Sequence, residues 1–269
     1  MIRSLQCDVS IASAYRNPTQ IARVVSECWC SENLYCAACD ADSLQQAAAN
    51  TKALDFRCVK WSETYQIKSQ RNLNLTRITD GAYSTMLDAV QRNVAPNLVI
   101  MNYAANWTVQ NLVLIPSLFF VESVLERRKP LSSQARRAGW VGCNFLLANV
   151  PTDGKIALIQ DQAVVPADDV RETYSKYRKL ESLDWNLRGW TVDVLRMVRK
   201  IGKSEFTLED IYKYEAELTS LHPKNRNVRP KIRQQLQVLR DMRILDFIGS
   251  GRYRVIAQKG NYEKQMGQS

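Results

Sequence analysis

Two sets of residues between Tyr35 and Gln70 have the types and spacing for metal chemistry. Asp55 is followed eleven residues later by Gln66-Ile67-Lys68. An aspartate and a second oxygen donor can hold a hard cation such as Mg²⁺. A lysine two residues beyond that donor can orient or deprotonate an attacking water, or stabilise the charge that develops on a phosphoryl group. The second set is Cys36-x-x-Cys39 with Cys58. Three thiols in this pattern suit Zn²⁺, but structural zinc takes four ligands, and Trp61 stands where the fourth is expected. Either Cys30, the most available thiol, or Asp40 as second choice closes the site, or the zinc has been lost. A bound zinc would staple a hairpin too small to bury a core of its own.

The two sets interleave, because Asp55 lies three residues before Cys58. Residues 53–58 and 62–69 read as an antiparallel pair of strands. Alternation puts Tyr65 and Ile67 on one face of the second strand and Gln66 and Lys68 on the other, where Asp55 can meet them. This is the D…(D/E)-x-K arrangement of metal-dependent nucleases. The spacing alone has little weight, since two polar strand positions facing solvent look the same. Ahead of the strands, residues 17–30 predict a helix with Pro18 at its start and a stripe of Ile21, Val24, Val25 and Cys28. Glu27 near its end could assist the metal site, although a solvated helix glutamate is the commoner case.

Beyond the hairpin, Ile78–Tyr83 predicts a helix start capped by Thr79 or Asp80 and running to about Arg92. Residues 97–103, 111–115 and 154–160 read as strands of a mixed sheet, and 119–125 as a possible helix. Residues 127–140, RRKPLSSQARRAGW, form a basic loop. Arg136 and Arg137 could touch phosphates there while Trp140 wedges against a base; equally, Trp140 could anchor in the core. Residues 166–187 are charged and read as a linker, partly helical.

The whole chain of 269 residues carries a formal charge of +10. Residues 186–269 hold 17 Lys and Arg against 9 Asp and Glu, or +8 of that excess. Such a balance suits a polyanionic partner. In this region a helix over 189–201, a second capped by Thr207 with Asp210, and a third over 231–241 precede two short strands around Gly249-Ser250-Gly251-Arg252. Three helices and a two-stranded wing make a winged helix. The third helix carries Lys231, Arg233, Gln234, Gln235, Gln237 and Arg240 outside its apolar face, and Arg and Gln are the side chains that read guanine and adenine edges. Arg252 lies in the wing. His222, the single histidine, reads as a loop residue. The opening residues lack an apolar signal segment, and the longest apolar run, 112–121, is too short and interrupted to span a membrane. Seven cysteines, an odd number, fit reduced thiols in a cytoplasmic protein better than a disulfide framework.

At this point the sequence resembles the DpnI family of restriction endonucleases, which cut GATC when its adenines are N6-methylated. The resemblance rests on YCAAC, DFRC, QIKS, ITDGAYSTM, KPLSSQARRAGWVGCN, SEFTLEDIY and KIRQQLQVLRD, in that order along almost the whole chain. It implies an α/β fold of the α+β kind: a PD-(D/E)XK catalytic domain over residues 1–183 with a zinc hairpin and a winged helix over 184–257; the polar composition of residues 258–269 reads as a disordered tail. The family's catalytic aspartate falls on Asp55, its lysine on Lys68, and its glutamate on Gln66. Its zinc cysteines fall on Cys36, Cys39 and Cys58, and the fourth on Trp61. Arg136, Arg137, Trp140, Lys231, Arg233, Gln234, Gln237 and Arg252 become candidate DNA contacts, and Trp190 or Tyr253 candidate walls of a methyl pocket. The implied activity is type II, Mg²⁺-dependent cleavage of N6-methyladenine duplexes by a monomer. A reader that binds without cutting, or a winged-helix transcription regulator, are the alternatives.

Overall fold

The computed structural model describes residues 1–48, 51 and 54–256. Ala53, the expected first residue of the Asp55 strand, and the expected tail over 258–269 lie outside the described residues. The strands in chain order are β1 (Leu44–Gln46), β2 (Phe56–Cys58), β3 (Thr64–Gln70), β4 (Ile78–Ala82), β5 (Asn97–Tyr103), β6 (Val109–Ile115), β7 (Leu125–Arg127), β8 (Gly142–Phe145), β9 (Ile156–Gln160), β10 (Ala163–Val164), β11 (Glu205–Thr207), β12 (Leu245–Gly249) and β13 (Arg252–Val255). The helices are α1 (Pro18–Asn33), α2 (Tyr83–Gln91), α3 (Ala167–Tyr177), α4 (Trp185–Ile201), α5 (Leu208–Tyr212), α6 (Glu215–Leu221) and α7 (Val228–Asp241).

A mixed sheet runs β1-β2-β3-β5-β6-β9-β10. Only β3 and β5 are parallel, in register from Tyr65↔Asn97 to Gln70↔Asn102; the other neighbours are antiparallel. Every residue of β5 is buried, which is why its sequence reads as a continuous apolar run rather than an alternation. A second sheet, β4-β8-β7, lies beside it.

Three local expectations are corrected. Ile78–Ala82 is a strand with alternating burial, not a helix start, and α2 begins at Tyr83 without a side-chain cap. Residues 119–125 contain no α-helix; short 3-10 turns occupy Ser117–Phe119 and Glu122–Val124. The charged stretch after Pro166 is no simple linker. Its α3 buries Val170, Thr173, Tyr174 and Tyr177, so its apolar positions complete the core while its charges face out.

The C-terminal elements make a winged helix, with β11 joining the wing as an edge strand in the order β11-β13-β12. Thr207 and Asp210 close a capping box at the start of α5. The turn at Gly249, Ser250 and Gly251 has positive φ at all three residues, a conformation that glycine tolerates at two of them. Gln235, expected on the polar face of α7, is fully buried and accepts from Thr191 at 2.7 Å. His222 is likewise not a free loop residue: its ring stacks on Trp190 at 3.9 Å and its Nε2 lies 2.9 Å from Asp193.

Helix α4 is also held by elements earlier in the chain. Arg199 donates to both oxygens of the fully buried Asp153, at 2.5 and 2.7 Å, and Tyr177 donates to the same carboxylate at 2.5 Å. Arg188 donates to the carbonyl of Val90 at 2.8 Å and to Asn93. Ser123 donates to Asp193 at 2.6 Å. Buried ions paired this fully resist separation, because splitting them strands a charge in a low-dielectric environment.

Candidate active site and metal centre

Asp55 precedes β2, and its main-chain N–H donates to Tyr65 O at 3.0 Å. The Phe56↔Tyr65 register therefore sets Asp55 opposite Gln66. Its carboxylate turns onto β3, where Oδ2 accepts the main-chain N–H of Ile67 at 2.7 Å. Ile67 lies between Gln66 and Lys68, so one hydrogen bond holds Asp55 against the strand that carries the other two candidates. Lys68 Nζ is 2.8 Å from Asp80 Oδ1. Gln66 Nε2 donates to the same oxygen at 3.0 Å.

Asp80 is the residue that sequence reasoning missed. It lies on β4, and its side chain is 2% exposed. The T-D-G triplet ahead of an amphipathic stretch favours a capping role, and only the burial alternation of Ile78–Ala82 signals a strand. Cys143 on β8 is also buried nearby; burial pushes its thiol up to about 11, and the charge of Asp80 adds to that.

Glu27 on α1 borders the same region. It lines a cavity of about 440 Å³ with Arg23, Gln46 and Asp55. It also lines one of about 490 Å³ with Lys68, Ser69 and Arg77. Arg23 and Glu27, paired at 2.6 Å, border both. Asp55 and Lys68 thus each line a cavity that Arg23 and Glu27 border.

The basic loop between β7 and β8 reaches this region from the far side of Asp80. It closes as a hairpin: Leu131 N–H donates to Trp140 O at 2.9 Å, and Gly139 N–H, with φ at 76°, to Leu131 O at 3.0 Å. The Arg137 guanidinium lies 4.7 Å from the Trp140 ring centre. Both side chains line a cavity of about 320 Å³ with Asp80, Gly81, Ala82, Thr85 and Met86. Arg136 is exposed on the same loop. In the winged helix, Arg233, Gln234 and Gln237 are exposed on α7, Lys231 is half-buried, and Arg252 is exposed in the wing. Arg233 donates to Tyr212 OH at 2.9 Å, and Arg252 pairs with Glu205 at 3.0 Å. Trp190 and Tyr253 are engaged inside the fold, Trp190 against His222 and Tyr253 between Phe206 and Phe247.

The sulfurs of Cys36, Cys39 and Cys58 lie within 4.8 Å of one another, and Cys39 and Cys58 are 3.5 Å apart. Cys58 accepts the N–H groups of Lys60 and Trp61 at 3.4 and 3.3 Å. Burial pushes its thiol up, but those two N–H groups and the bonds from Cys36 and Cys39 bring it below its ordinary value. Burial instead drives Cys36 up to about 12, against the pull of the Tyr65 hydroxyl and Ala38 N–H. The donor set fits three corners of a tetrahedral thiolate site. Cys30 does not belong to that group: it is fully buried on α1, with Cys7, Asp55 and Glu27 as its electrostatic neighbours. Asp40 is engaged by Lys60 at 3.0 Å. The ring of Trp61 is 4.3 Å from the Arg178 guanidinium, which also donates to Ala38 O. Arg178 thereby ties the Trp61 turn to the Cys36–Cys39 loop.

No helix among the described residues is long and apolar enough to cross a membrane. A family model described as DpnI, Dam-replacing family, matches residues 3–183. A second, described as the Dam-replacing HTH domain, matches residues 186–255. Together these matches cover most of the chain and include its winged helix, and the chain belongs to the DpnI family of methyl-directed restriction endonucleases.

Proposed function

We propose that the protein is a Mg²⁺-dependent, type II site-specific deoxyribonuclease that cuts duplex DNA at GATC-like sites containing N6-methyladenine. The observation that carries this reading is the bond from Ile67 N–H to Asp55, which sets a carboxylate beside the Gln66-x-Lys68 strand. Asp55 and the carbonyl oxygen of Gln66 would hold the cation. Bound there, Mg²⁺ would polarise the scissile phosphate and neutralise charge on its oxygens. The residues themselves divide the remaining work. Asp55 is pre-oriented by a main-chain donor, so no reorganisation is needed as charge develops. Lys68, held by Asp80, presents an ammonium to the attacking water or to the phosphoryl oxygens.

Recognition is assigned to two surfaces. Arg137 and Trp140 line the cavity beside Asp80 and Arg136 is exposed on the same loop, where cations would neutralise phosphates and an aromatic would press on a base. Arg233, Gln234 and Gln237, exposed on α7, would make the major-groove contacts, with Lys231 and Arg252 beside them in the reading. Zn²⁺ on Cys36, Cys39 and Cys58 is assigned a structural role, and a monomer the resting state.

Gln66 supports a second reading, in which the protein binds methylated duplex without cutting it. Lys68→Ala separates the two. If the enzyme reading is right, the wild-type protein with Mg²⁺ cuts methylated duplex. Lys68→Ala then cuts about 10²–10³ times more slowly and binds as tightly as before. Tight binding of methylated duplex by wild-type protein, with no product in Mg²⁺ or Mn²⁺, would favour the reader.

A further inference from the structure

Gln66 gives an oxygen to a cation but no charge. With Asp55 the single acid of the D…Q-x-K set, and Lys68 opposing it, the three side chains sum to zero. A divalent cation in a partly dry site needs more negative charge than that. A further carboxylate touches two of these three side chains. Asp80 comes from β4, outside the strand pair that carries the other three, and its Oδ1 touches both Gln66 Nε2 at 3.0 Å and Lys68 Nζ at 2.8 Å. Its Oδ2 is buried, and no hydrogen-bond donor among the described residues reaches it. A buried carboxylate oxygen without a partner is costly and uncommon in a native protein.

We infer that Asp80 is a metal ligand of this site and supplies the negative charge that Gln66 lacks. This rests on the nuclease reading above. Counting Asp80, the set carries two carboxylates and one ammonium, the same net charge as an Asp, a Glu and a Lys. The amide at position 66 then has a reason. A carboxylate only accepts hydrogen bonds, so beside Asp80 the side chain of residue 66 must present a donor. Gln66 turns its Nε2 to Asp80, which leaves its carbonyl oxygen directed elsewhere and free to bind the cation. A glutamate at 66 would set two carboxylates at hydrogen-bond distance, which like charge disfavours.

The test is Mn²⁺ binding measured by titration calorimetry on the full chain, without DNA, beside far-UV circular dichroism to establish folding. The proposal predicts that Asp80→Asn loses more than about 100-fold in Mn²⁺ affinity, beyond the roughly 10–100-fold that loss of an outer-shell partner usually costs, and that Asp55→Asn does likewise. The exchange Gln66→Glu with Asp80→Asn restores the charge and recovers binding. If Asp80→Asn binds Mn²⁺ as the wild type does while Asp55→Asn does not, Asp80 merely holds Lys68; the proposal fails and the nuclease reading stands. If wild-type protein binds no Mn²⁺, the nuclease reading fails and this inference with it. Should the variants not fold, a crystal of wild-type protein grown with Mn²⁺ decides. An anomalous peak bonded to both Asp55 and Asp80 at ~2.1 Å supports the proposal, and a peak on Asp55 that leaves Asp80 unbonded overturns it.

Discussion

Asp55 accepts the main-chain N–H of Ile67 at 2.7 Å, so the carboxylate is positioned by the backbone of the strand that carries Gln66 and Lys68. An amide at 55 keeps the shape and an oxygen that can accept from Ile67, but loses the charge. Asp55→Asn should therefore fold with an unchanged melting temperature, bind methylated duplex, and lose cleavage by at least about 10²-fold. Paired melting, binding and single-turnover measurements check this. A large drop in melting temperature would place Asp55 in the fold rather than in the chemistry.

The three-thiol knuckle makes a prediction about metal content. With three sulfurs within 4.8 Å and Trp61 held by Arg178, zinc should bind but exchange readily. Trp61→Cys supplies the missing thiolate and should slow zinc release to a chelator. Its cost is one cation–aromatic contact, about 0.5–1 kcal/mol. Cys58→Ser should lower zinc content and loosen the hairpin of β1 and β2. Zinc stoichiometry by elemental analysis, with release followed by a colorimetric chelator, reads both.

The Arg199–Asp153 pair predicts that the winged helix and the nuclease elements unfold together. Asp153 is fully buried and Arg199 is half-buried. Arg199→Met leaves Asp153 with Tyr177 as its remaining donor of this group, and removing one partner of such a pair costs about 3–5 kcal/mol. The expected outcome in a calorimetric melt is one transition for the wild type, and a lower or split transition for the variant.

Acid should weaken the winged helix through its capping box. Asp210 is held far below the ordinary 3.8 first by the Thr207 N–H and then by Lys203, with Lys213 adding to it. A depressed carboxyl stabilises the fold above its unfolded value and loses that contribution as pH falls toward its folded value. The wild type should thus exceed Asp210→Asn in thermal stability near neutral pH. That margin should shrink progressively below about pH 4, as melts at several pH values would show. A margin that is constant with pH would contradict the assignment.

Much of this architecture is legible in the sequence because its signals are local. The Pro18 helix, the apolar runs of β5 and β6, the Thr207 capping box and the glycine turn of the wing each depend on a few neighbouring residues. Asp55, Gln66 and Lys68 follow from alternation and one antiparallel pairing. What the sequence hides depends on distant packing. Asp80 reads as a helix cap, because Thr-Asp-Gly before an amphipathic stretch is chemically a cap; only the pairing of β4 with β8 makes it a strand residue and turns it toward Lys68. Arg199 and Arg196 look like solvated helix positions until Asp153 and Asn149 are brought to them. Gln235 looks polar and exposed until α4 presents Thr191. In each case the burial of a polar group is decided by a partner far away in the chain, and periodicity carries no record of that partner.

The most direct test of the central claim is digestion of one plasmid in two forms, adenine-methylated and unmethylated, by wild-type protein with Mg²⁺ and with a chelator. Cleavage of the methylated plasmid alone, abolished by the chelator, is the predicted result. Equal cleavage of both plasmids, or no cleavage of either while the protein still binds methylated duplex, would contradict it.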